Sequence, residues 1–259
     1  MPFVEYGDLR VNYALTGAAS APVLILSNSL GTNFSMWDAQ LPALEKEFRV
    51  LRYDTRGHGQ TSVTPGPYTI EQLSRDVLGL LDALHLDRAH FCGLSMGGMI
   101  GMWLGAHAAE RFRKIVLCNT AAKIGTAETW SARIEAVRKG GMQAVAPAVI
   151  ERWFTPEFRA SAAAIVAPAL RMLENSPAEG YMACCAALGA MDQREALAAI
   201  RVPALVIAGA RDPVTPPAEG RFLAERIPGA QYAELPTAHL SNVEAPAQFT
   251  AELIRFLKA

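Results

Sequence analysis

The sequence has little net charge, no long apolar run and no leader-like start, and each absence excludes a class of protein. Its 259 residues carry 24 lysines and arginines against 25 aspartates and glutamates, a net charge of −1, which argues against a nucleic-acid partner. No apolar run reaches the roughly 18 residues that cross a bilayer, and the first residues lack the basic and apolar regions of a signal peptide. We therefore expect neither a membrane nor a nucleic acid as partner.

Cysteines are few, and they have the spacing of neither a metal site nor a redox pair. There are four, with no C-x-x-C motif and no cysteine–histidine pattern. Two of them lie in apolar strand-like runs and two are adjacent in the sequence. We predict reduced, buried thiols in a cytoplasmic protein that uses neither a metal nor a cofactor. The cysteines are Cys92, Cys118, Cys184 and Cys185.

Apolar residues, by contrast, are abundant. The chain is 51% hydrophobic and 19% charged, which allows a large buried core and excludes wholesale disorder. It contains no internal repeat and no low-complexity tract. Its length fits one α/β domain with an insertion, or at most two small domains.

Short apolar runs alternate with helical periodicity along most of the chain, which indicates an α/β protein with a mostly parallel sheet. The first sixteen residues alternate as an antiparallel strand pair turned at Gly7-Asp8. The predicted buried strands are 23–26, 49–53, 88–92, 114–118, 203–208 and 230–235. The predicted helices are 36–44, 70–84, a helix that starts at 98, and 246–257.

This alternation stops between residues 122 and 191. The segment is rich in alanine, is punctuated by prolines and contains no convincing strand. Segments longer than ~15 residues without β structure tend to be lids or inserted subdomains. We therefore predict an α/β core made of residues 1–121 and 192–259, with residues 122–191 as a helical cap.

A G-x-S-x-G motif, Gly93-Leu94-Ser95-Met96-Gly97, lies between an apolar strand candidate and an apolar helix. In that context the serine occupies a sharp strand-to-helix turn, and its hydroxyl is held out above the helix N-terminus. Small residues two positions before and after it let the strand and the helix pass close together. We predict that Ser95 is a catalytic nucleophile. The alternative is a glycine-rich turn that only joins a strand to a helix.

A serine hydroxyl needs an adjacent base to react at neutral pH, and that base needs an orienting group. The sequence supplies both in the order serine, acid, histidine. Asp212 follows the strand predicted at 203–208 and His239 follows the one at 230–235, which places both on the same rim as Ser95. We predict that His239 takes the Ser95 proton and that Asp212 orients the imidazole. The alternatives are a plain turn aspartate and a surface histidine.

Such a site also needs backbone N–H groups that stabilise an oxyanion. One would be the amide of Met96, directly after the nucleophile, and a second would come from the loop at 27–33. We expect Leu30 to provide that second amide, because a backbone donor is indifferent to the side chain it carries. The hydroxyl of Ser29 could add a third donor.

The remaining histidines and one glycine-rich loop are predicted to be structural. His85 and His107 lie on predicted helices, and His90 lies within a predicted strand. The loop at 54–62 carries glycines and charges, but it lacks both common phosphate-binding motifs. We interpret it as a turn that ties other loops together near the site.

These motifs together resemble the α/β-hydrolase fold family over nearly the whole chain, which implies a mostly parallel sheet flanked by helices with an inserted helical cap. The chain departs from many members in one respect: it has Asn28-Ser29-Leu30-Gly31 where they have His-Gly. Within the family it is similar to the 3-oxoadipate enol-lactonases of the β-ketoadipate pathway. This narrower resemblance rests on residues 27–32, 53–59, 152–158 and 181–187, the last two within the predicted cap.

The resemblance implies a small anionic substrate, a five-membered enol-lactone that carries a carboxylate. Ser95 would attack the ring carbonyl, and water activated by His239 would release 3-oxoadipate. An anion in a largely apolar cap calls for a cation, and we predict that Arg133 binds the carboxylate. Trp130 shares a helix face with Arg133, and we expect Trp130 and Trp153 to form pocket walls. The alternatives are a solvated surface arginine and tryptophans that only pack the cap.

Two other kinds of function stay open from the sequence. One is a related enzyme: a general carboxylesterase, a cofactor-free haloperoxidase-like hydrolase or a carbon–carbon bond hydrolase. Dehalogenases of this fold need an aspartate nucleophile, so Ser95 argues against them. The other is a ligand receptor on a hydrolase scaffold, which would have no need to retain Ser95, Asp212 and His239 together.

Overall fold

The computed structural model describes residues 2–259, and its strands form a single sheet. Met1, the first residue of the stretch predicted as a strand pair, lies outside the described residues. That pair is present, turned at Gly7-Asp8 as predicted. The strands are β1 (Phe3–Tyr6), β2 (Leu9–Thr16), β3 (Val23–Ser27), β4 (Arg49–Tyr53), β5 (Ala89–Leu94), β6 (Phe112–Cys118), β7 (Ala204–Gly209) and β8 (Gln231–Leu235).

The strand order across the sheet is β1-β2-β4-β3-β5-β6-β7-β8. The pairs β1/β2 and β2/β4 are antiparallel, and every other neighbouring pair is parallel. Strands β3, β5 and β7 are buried along their whole length, because helices cover both faces of a parallel sheet. The predicted α/β class with a mostly parallel sheet is confirmed.

Helices connect most of these strands and cover the sheet. No helix within residues 2–259 is both long enough and apolar enough to cross a membrane. The α-helices are α1 (Leu41–Leu44), α2 (Ile70–Ala83), α3 (Met96–His107), α4 (Ala127–Gly140), α5 (Ala146–Trp153), α6 (Pro156–Ser161), α7 (Ala163–Glu174), α8 (Ala178–Ala190), α9 (Pro217–Arg226), α10 (Ser241–Glu244) and α11 (Pro246–Lys258). Short 3₁₀ helices lie at Phe34–Gln40, Ala109–Arg111, Met142–Ala144 and Leu197–Ala199.

The helix predicted at 36–44 is wrong as a single element. A 3₁₀ helix at Phe34–Gln40 is followed by the four-residue helix α1. The physical reason is Pro42, which has no N–H to donate to the carbonyl four residues earlier and so interrupts the helical ladder. The other predicted strands and helices are present, with ends that shift by at most two residues.

The prediction that His85 lies on a helix is also wrong. Helix α2 ends at Ala83, and His85 follows it with a left-handed φ of 54°. The N–H of His85 donates to the carbonyl of Asp82, and the N–H of Leu86 donates to that of Leu81. This pair of bonds closes the last helical turn and stops the helix. His107 ends helix α3 and His90 lies in β5, as predicted.

Residues 122–191, which we call the cap segment, contain helices α4 to α8 and no strand in the described structure. They leave the sheet after β6 and return before β7, although these two strands are direct neighbours. The carboxyl ends of the parallel strands therefore lie at one common edge of the sheet. The cap segment is inserted at this edge, between the end of β6 and the start of β7.

Candidate active site

Ser95 occupies a strained turn between β5 and α3. Its backbone has φ 58° and ψ −113°, a conformation that costs an L-residue ~1–3 kcal/mol. A Cβ on Gly93 would lie 2.1 Å from the carbonyl oxygen of Gly97, and one on Gly97 would lie 2.3 Å from that of Ser27. Only glycine fits at either position, so the motif allows the close passage of strand and helix that the turn requires.

The structure brings the three predicted catalytic side chains together in one hydrogen-bonded chain. His239 Nε2 lies 2.9 Å from Ser95 Oγ, and His239 Nδ1 lies 2.8 Å from Asp212 Oδ2. All three residues are buried, at 5%, 2% and 3% exposure for Ser95, His239 and Asp212. The carboxylate can accept only from a protonated Nδ1, which leaves Nε2 free to accept the serine proton.

The Asp212 carboxylate is held in its ionised state by its surroundings. Burial acts to raise its pKa, but the adjacent His239 imidazole and several donated hydrogen bonds outweigh burial and lower the pKa below its usual value. Oδ1 accepts the N–H groups of Val214 and Thr215, at 2.8 and 3.1 Å. Oδ2 also accepts the Thr215 hydroxyl at 2.7 Å, beside the imidazole.

Asn119 is a part of this site that was not predicted. It follows β6 directly with a left-handed φ of 44°. Its Nδ2 donates to Asp212 Oδ2 and to the carbonyl of Ala238, both at 3.1 Å, and its Oδ1 accepts the Ser241 hydroxyl at 2.6 Å. The side chain thereby joins the loops of the acid and of the histidine. A polar residue directly after a predicted parallel strand was the available signal.

The amide of Met96 lies beside the nucleophile with no partner in residues 2–259. Met96 is the first residue of α3, so its N–H has no intrahelical acceptor. The next amide is already engaged, since the N–H of Gly97 donates to the carbonyl of Asn28 at 3.0 Å. Met96 N–H is thus a free donor next to the nucleophile, and its oxyanion role stays a prediction.

The amide of Leu30 is similarly free among the described residues, and its neighbours are not. Ser29 N–H points to the sulfur of Met36, and Gly31 N–H donates to His58 Nε2 at 2.9 Å. Leu30 and Ser29 both line the same small cavity as Ser95 and His239. The N–H groups on both sides of Leu30 are therefore held by other residues, whereas the N–H of Leu30 itself, the predicted second oxyanion donor, is free within residues 2–259.

The loop at 54–62 ties neighbouring loops together, as interpreted from the sequence. Asp54 Oδ1 accepts the N–H of Phe34 at 2.8 Å, and the buried Arg56 guanidinium pairs with Asp76 at 2.6 Å. His58 supplies the acceptor for the Gly31 N–H, and its Nδ1 lies 3.3 Å from the carbonyl of Arg56. Both contacts fit a neutral imidazole with its proton on Nδ1.

Protein stability should fall in acid because of His58. Burial lowers the pKa of His58 from 6.5 to about 4. Between these two pH values the unfolded chain binds a proton at His58, whereas the folded protein keeps this imidazole neutral. Stability from this residue is therefore lost as the pH falls from 6.5 to about 4, by about 3 kcal/mol. We expect His58→Gln to remove that part of the pH dependence in urea unfolding. The exposed His107→Gln is the control and should leave it unchanged.

An inner cavity of about 40 Å³ lies over Ser95 and His239, against the cap segment. An outer cavity of about 210 Å³ shares five of its lining residues with the inner one. The shared residues are Ile124, Trp130, Arg133, Arg152 and Val214. A small molecule with its reacting carbonyl at Ser95 would therefore extend toward this shared wall.

Two arginines of the shared wall lack an acidic partner. Arg133 on α4 and Arg152 on α5 are both half-buried, and neither forms an ion pair in residues 2–259. Burial lowers the pKa of Arg152, and the nearby charge of Arg133 lowers it further. Guanidinium groups with no acidic partner at a cavity wall are chemically suited to an anion. Arg133 was predicted, whereas Arg152 was only part of a quoted segment.

Trp130 and Trp153 both line the inner cavity, and both are buried. The indole of Trp130 donates to the carbonyl of Ile124 at 2.8 Å, and the Arg133 guanidinium lies 5.0 Å from the centre of its ring. Tyr181 on α8 is a further wall residue that was not predicted. Apolar walls around two cations make any bound anion interact more strongly than it would in water.

No cluster of three or more histidine, cysteine or acidic side chains within residues 2–259 is placed to hold a metal ion. The cysteines are free and buried, as predicted. The Cys92 and Cys118 sulfurs lie 3.8 Å apart across β5 and β6, and neither residue lines the inner or the outer cavity.

Comparison with known proteins adds to this geometry. The family described as the alpha/beta hydrolase fold matches residues 22–246. The chain is 48% identical to 3-oxoadipate enol-lactonase 2 of Acinetobacter baylyi over 93% of this chain and 91% of that one. It is 42% identical to 3-oxoadipate enol-lactonase 1 of the same organism, over 95% and 92%. The crystal structure of the enol-lactonase from Burkholderia xenovorans LB400 superimposes with a TM-score of 0.98, at 46% identity over the full length of both chains.

Proposed function

The chain belongs to the α/β-hydrolase fold family, and we propose that it is a serine hydrolase that opens 3-oxoadipate enol-lactone to 3-oxoadipate. The observation that carries the proposal is the pairing of a serine–histidine–aspartate chain with two unpaired arginines across one small cavity. The serine–histidine–aspartate chain cleaves the ester bond, and the two arginines select a substrate with a carboxylate.

The first half of the reaction acylates the serine. Ser95 Oγ attacks the lactone carbonyl while His239 Nε2 takes the hydroxyl proton, and Asp212 stabilises the imidazolium that forms. The carbonyl oxygen gains a negative charge, which the N–H groups of Leu30 and Met96 stabilise. When the tetrahedral intermediate collapses, the ring C–O bond breaks, and His239 returns the proton to the enol oxygen that leaves.

The chemistry of the leaving group makes this step effectively irreversible. The released enol tautomerises to a ketone, so the group that would have to reclose the ring is no longer present. The acyl group on Ser95 then carries the ketone and the original carboxylate. Water that gives its proton to His239 attacks this ester and releases 3-oxoadipate, which restores the Ser95 hydroxyl.

Arg133 and Arg152 would bind the substrate carboxylate. Both line the inner and the outer cavity, so an anionic tail that points away from Ser95 meets them at the boundary between the two. The two guanidinium charges repel each other. A bound carboxylate would offset this repulsion, so both arginines favour binding of an anion. The walls contributed by Trp130 and Trp153 limit the ring side of the cavity to a small substrate.

The proposal is tested by comparing kcat/KM for the enol-lactone with kcat/KM for neutral esters and lactones of similar size. Loss of the enol-lactone chromophore reports the first reaction, and a chromogenic short-chain ester reports the second. We expect the lactone to be preferred by well over tenfold, because two arginines recognise its carboxylate. Equal values would leave a general carboxylesterase, and no hydrolysis of any substrate would favour a receptor.

Arg133→Ala should weaken binding of the lactone without impairing the serine chemistry. Loss of one charged hydrogen-bond partner costs about 1–3 kcal/mol, which corresponds to a KM higher by ~5- to ~150-fold. The KM for the neutral ester should change little. The matched control is Arg138→Ala, which removes an exposed arginine from the same helix, outside both of these cavities. An unchanged lactone KM in a folded Arg133→Ala protein would remove Arg133 from the site.

The proposal includes a cytoplasmic setting. The chain has four cysteines, all of them buried, and they show neither the C-x-x-C spacing of a redox pair nor a metal-site pattern. This cysteine usage is typical of proteins from a compartment that keeps thiols reduced. Fractionation of the cells that produce the protein would test this part.

A further inference from the structure

Glu244 links the loop of the catalytic histidine to the cap segment. It is the last residue of α10, and its side chain is half-buried. Oε2 accepts the backbone N–H of Ala238 at 2.9 Å, and Oε1 accepts the hydroxyl of Thr155 in a short hydrogen bond. The N–H of Thr155 also points to the carboxylate, at 3.3 Å from Oε1 and 3.4 Å from Oε2.

One end of this link holds the residue that precedes His239. The Ala238 N–H is bound by Glu244 and its carbonyl accepts Asn119 Nδ2, so both sides of this residue are fixed. On the other side of His239, the N–H of Leu240 donates to the carbonyl of Trp153 at 3.0 Å. The imidazole is therefore positioned by a short loop whose two flanking N–H groups are both bound, one of them through Glu244 to the cap segment and the other directly.

The other end holds the part of the cap segment that faces the cavity. Thr155 lies just beyond α5, the helix that presents Arg152 and Trp153 to the inner cavity. It is buried and caps α6, since its hydroxyl accepts the N–H of Phe158 at 3.3 Å. A shift of Thr155 would move Arg152 and the wall with it.

We propose that Glu244 is a positioning residue that sets His239 and the Arg152 wall at a fixed distance from each other. A carboxylate has two oxygens in a rigid plane, so it can accept one donor from each side at the same time. A base must lie within a few tenths of an ångström of its working position, because a misplacement of ~1 Å can cost ~100-fold in rate. The part that concerns Arg152 rests on the proposed function, whereas the part that concerns His239 needs only a reactive Ser95.

Two variants separate positioning from charge. Glu244→Ala removes the acceptor of the Ala238 N–H, of the Thr155 hydroxyl and of the Thr155 N–H. Glu244→Gln removes the charge but keeps a contact at each end, because its oxygen can accept the Ala238 N–H while its NH₂ group donates to the Thr155 hydroxyl, which reverses the direction of that bond. If Glu244 acts by position, the glutamine variant should resemble the wild type and the alanine variant should not. If it acts by charge on the imidazolium, both variants should be impaired alike.

Two further variants separate the ends of the link. Thr155→Val removes the hydroxyl that Oε1 accepts but leaves the bond to Ala238, and Thr155→Ser retains both. Glu157→Gln is the matched control, since it breaks the exposed ion pair with Arg211, at 2.8 Å, that also joins the cap segment to the core. That ion pair is solvent-screened and lies outside the cavity-lining residues, so the control should behave as the wild type.

The readout is the reaction of Ser95 with a neutral p-nitrophenyl phosphonate, together with kcat and KM for the lactone. The amount of nitrophenol released counts the folded, reactive sites, and the rate constant of its release measures how fast each site reacts. A variant that is only partly folded therefore releases less nitrophenol with an unchanged rate constant. We expect Glu244→Ala to react ~10-fold or more slowly per competent site, and Glu244→Gln within ~3-fold of the wild type. Thr155→Val should raise the lactone KM several-fold and change the phosphonate rate little, and Thr155→Ser should restore the KM.

Three outcomes would overturn the proposal. They are a Glu244→Ala rate within twofold of the wild type, a Glu244→Gln rate as slow as that of Glu244→Ala, and a Thr155→Val protein whose phosphonate rate falls as much as its lactone KM rises. If Glu244→Ala does not fold, the glutamine and Thr155 variants still decide. If the wild-type protein reacts with the phosphonate but not with the lactone, the proposed substrate fails while the role of Glu244 toward His239 is still measured.

Discussion

Ser95→Ala is expected to lower kcat for ester or lactone hydrolysis by on the order of 10⁵- to 10⁶-fold. The variant keeps the Cβ and the strained backbone of the turn but lacks the oxygen that attacks the carbonyl. His239 Nε2 then has no hydroxyl to deprotonate, although it still lies over the cavity. The activity that remains would come from the backbone N–H groups and from binding alone. Stopped assays at high enzyme concentration measure it.

The control for Ser95→Ala is Ser161→Ala. Ser161 is exposed at the end of α6, where its hydroxyl donates to the carbonyl of Glu157 in its own helix and to no other group of residues 2–259. It should have wild-type kcat and KM and should still react with a phosphonate at one site per chain. A Ser95→Ala protein that retained more than about a hundredth of the wild-type kcat would show that another group is the nucleophile.

Asp212→Asn is expected to lower kcat by ~10⁴-fold while the fold is retained. The Asn oxygen can take the place of Oδ1, which accepts the N–H groups of Val214 and Thr215. The NH₂ group then lies where Oδ2 faces His239, and it donates to Nδ1. The imidazole proton moves to Nε2, which can no longer accept a proton from Ser95.

The control for this second substitution is Thr215→Val. It removes the hydroxyl that donates to Oδ2 at 2.7 Å but leaves the carboxylate and its bond to the imidazole. We expect a loss of ~10-fold or less, because only one of several donors to Oδ2 is gone. The rate of phosphonate reaction and kcat should fall in parallel in both variants. An Asp212→Asn protein that kept a tenth of wild-type kcat would contradict the role given to the acid.

Much of the fold was predictable because local patterns and the fold agree here. Buried parallel strands such as β3 and β7 are apolar on both faces, which makes them visible as continuous runs. The failures were at helix ends. The apolar spacing continues across Pro42, so it does not show that the helix is interrupted there. His85 has a left-handed backbone conformation, which a histidine in the sequence does not indicate.

The serine, acid and histidine were predictable because each needs a particular local context. Ser95 lies between two glycines, which are needed there because the strand and the helix pass too close together for a Cβ. Asp212 and His239 follow strands that end at the same edge of the sheet. Asn119 also follows such a strand, but an asparagine after a strand has many ordinary roles. Only the contacts with Asp212 and Ala238 reveal what it joins.

The sequence by itself determined the α/β class and most of the succession of strands and helices along the chain, and it predicts the nucleophile turn at Ser95 and a cap at residues 122–191. Each depends on spacing along the chain, through periodicity, glycine sterics or the ends of parallel strands. The tertiary structure alone decided that Arg152 joins Arg133 at one wall and that Glu244 bridges Thr155 and Ala238. Thr155 and Glu244 are 89 residues apart in the sequence, and Arg133 and Arg152 lie on different helices, so these interactions depend on distances of a few ångströms that no local pattern encodes.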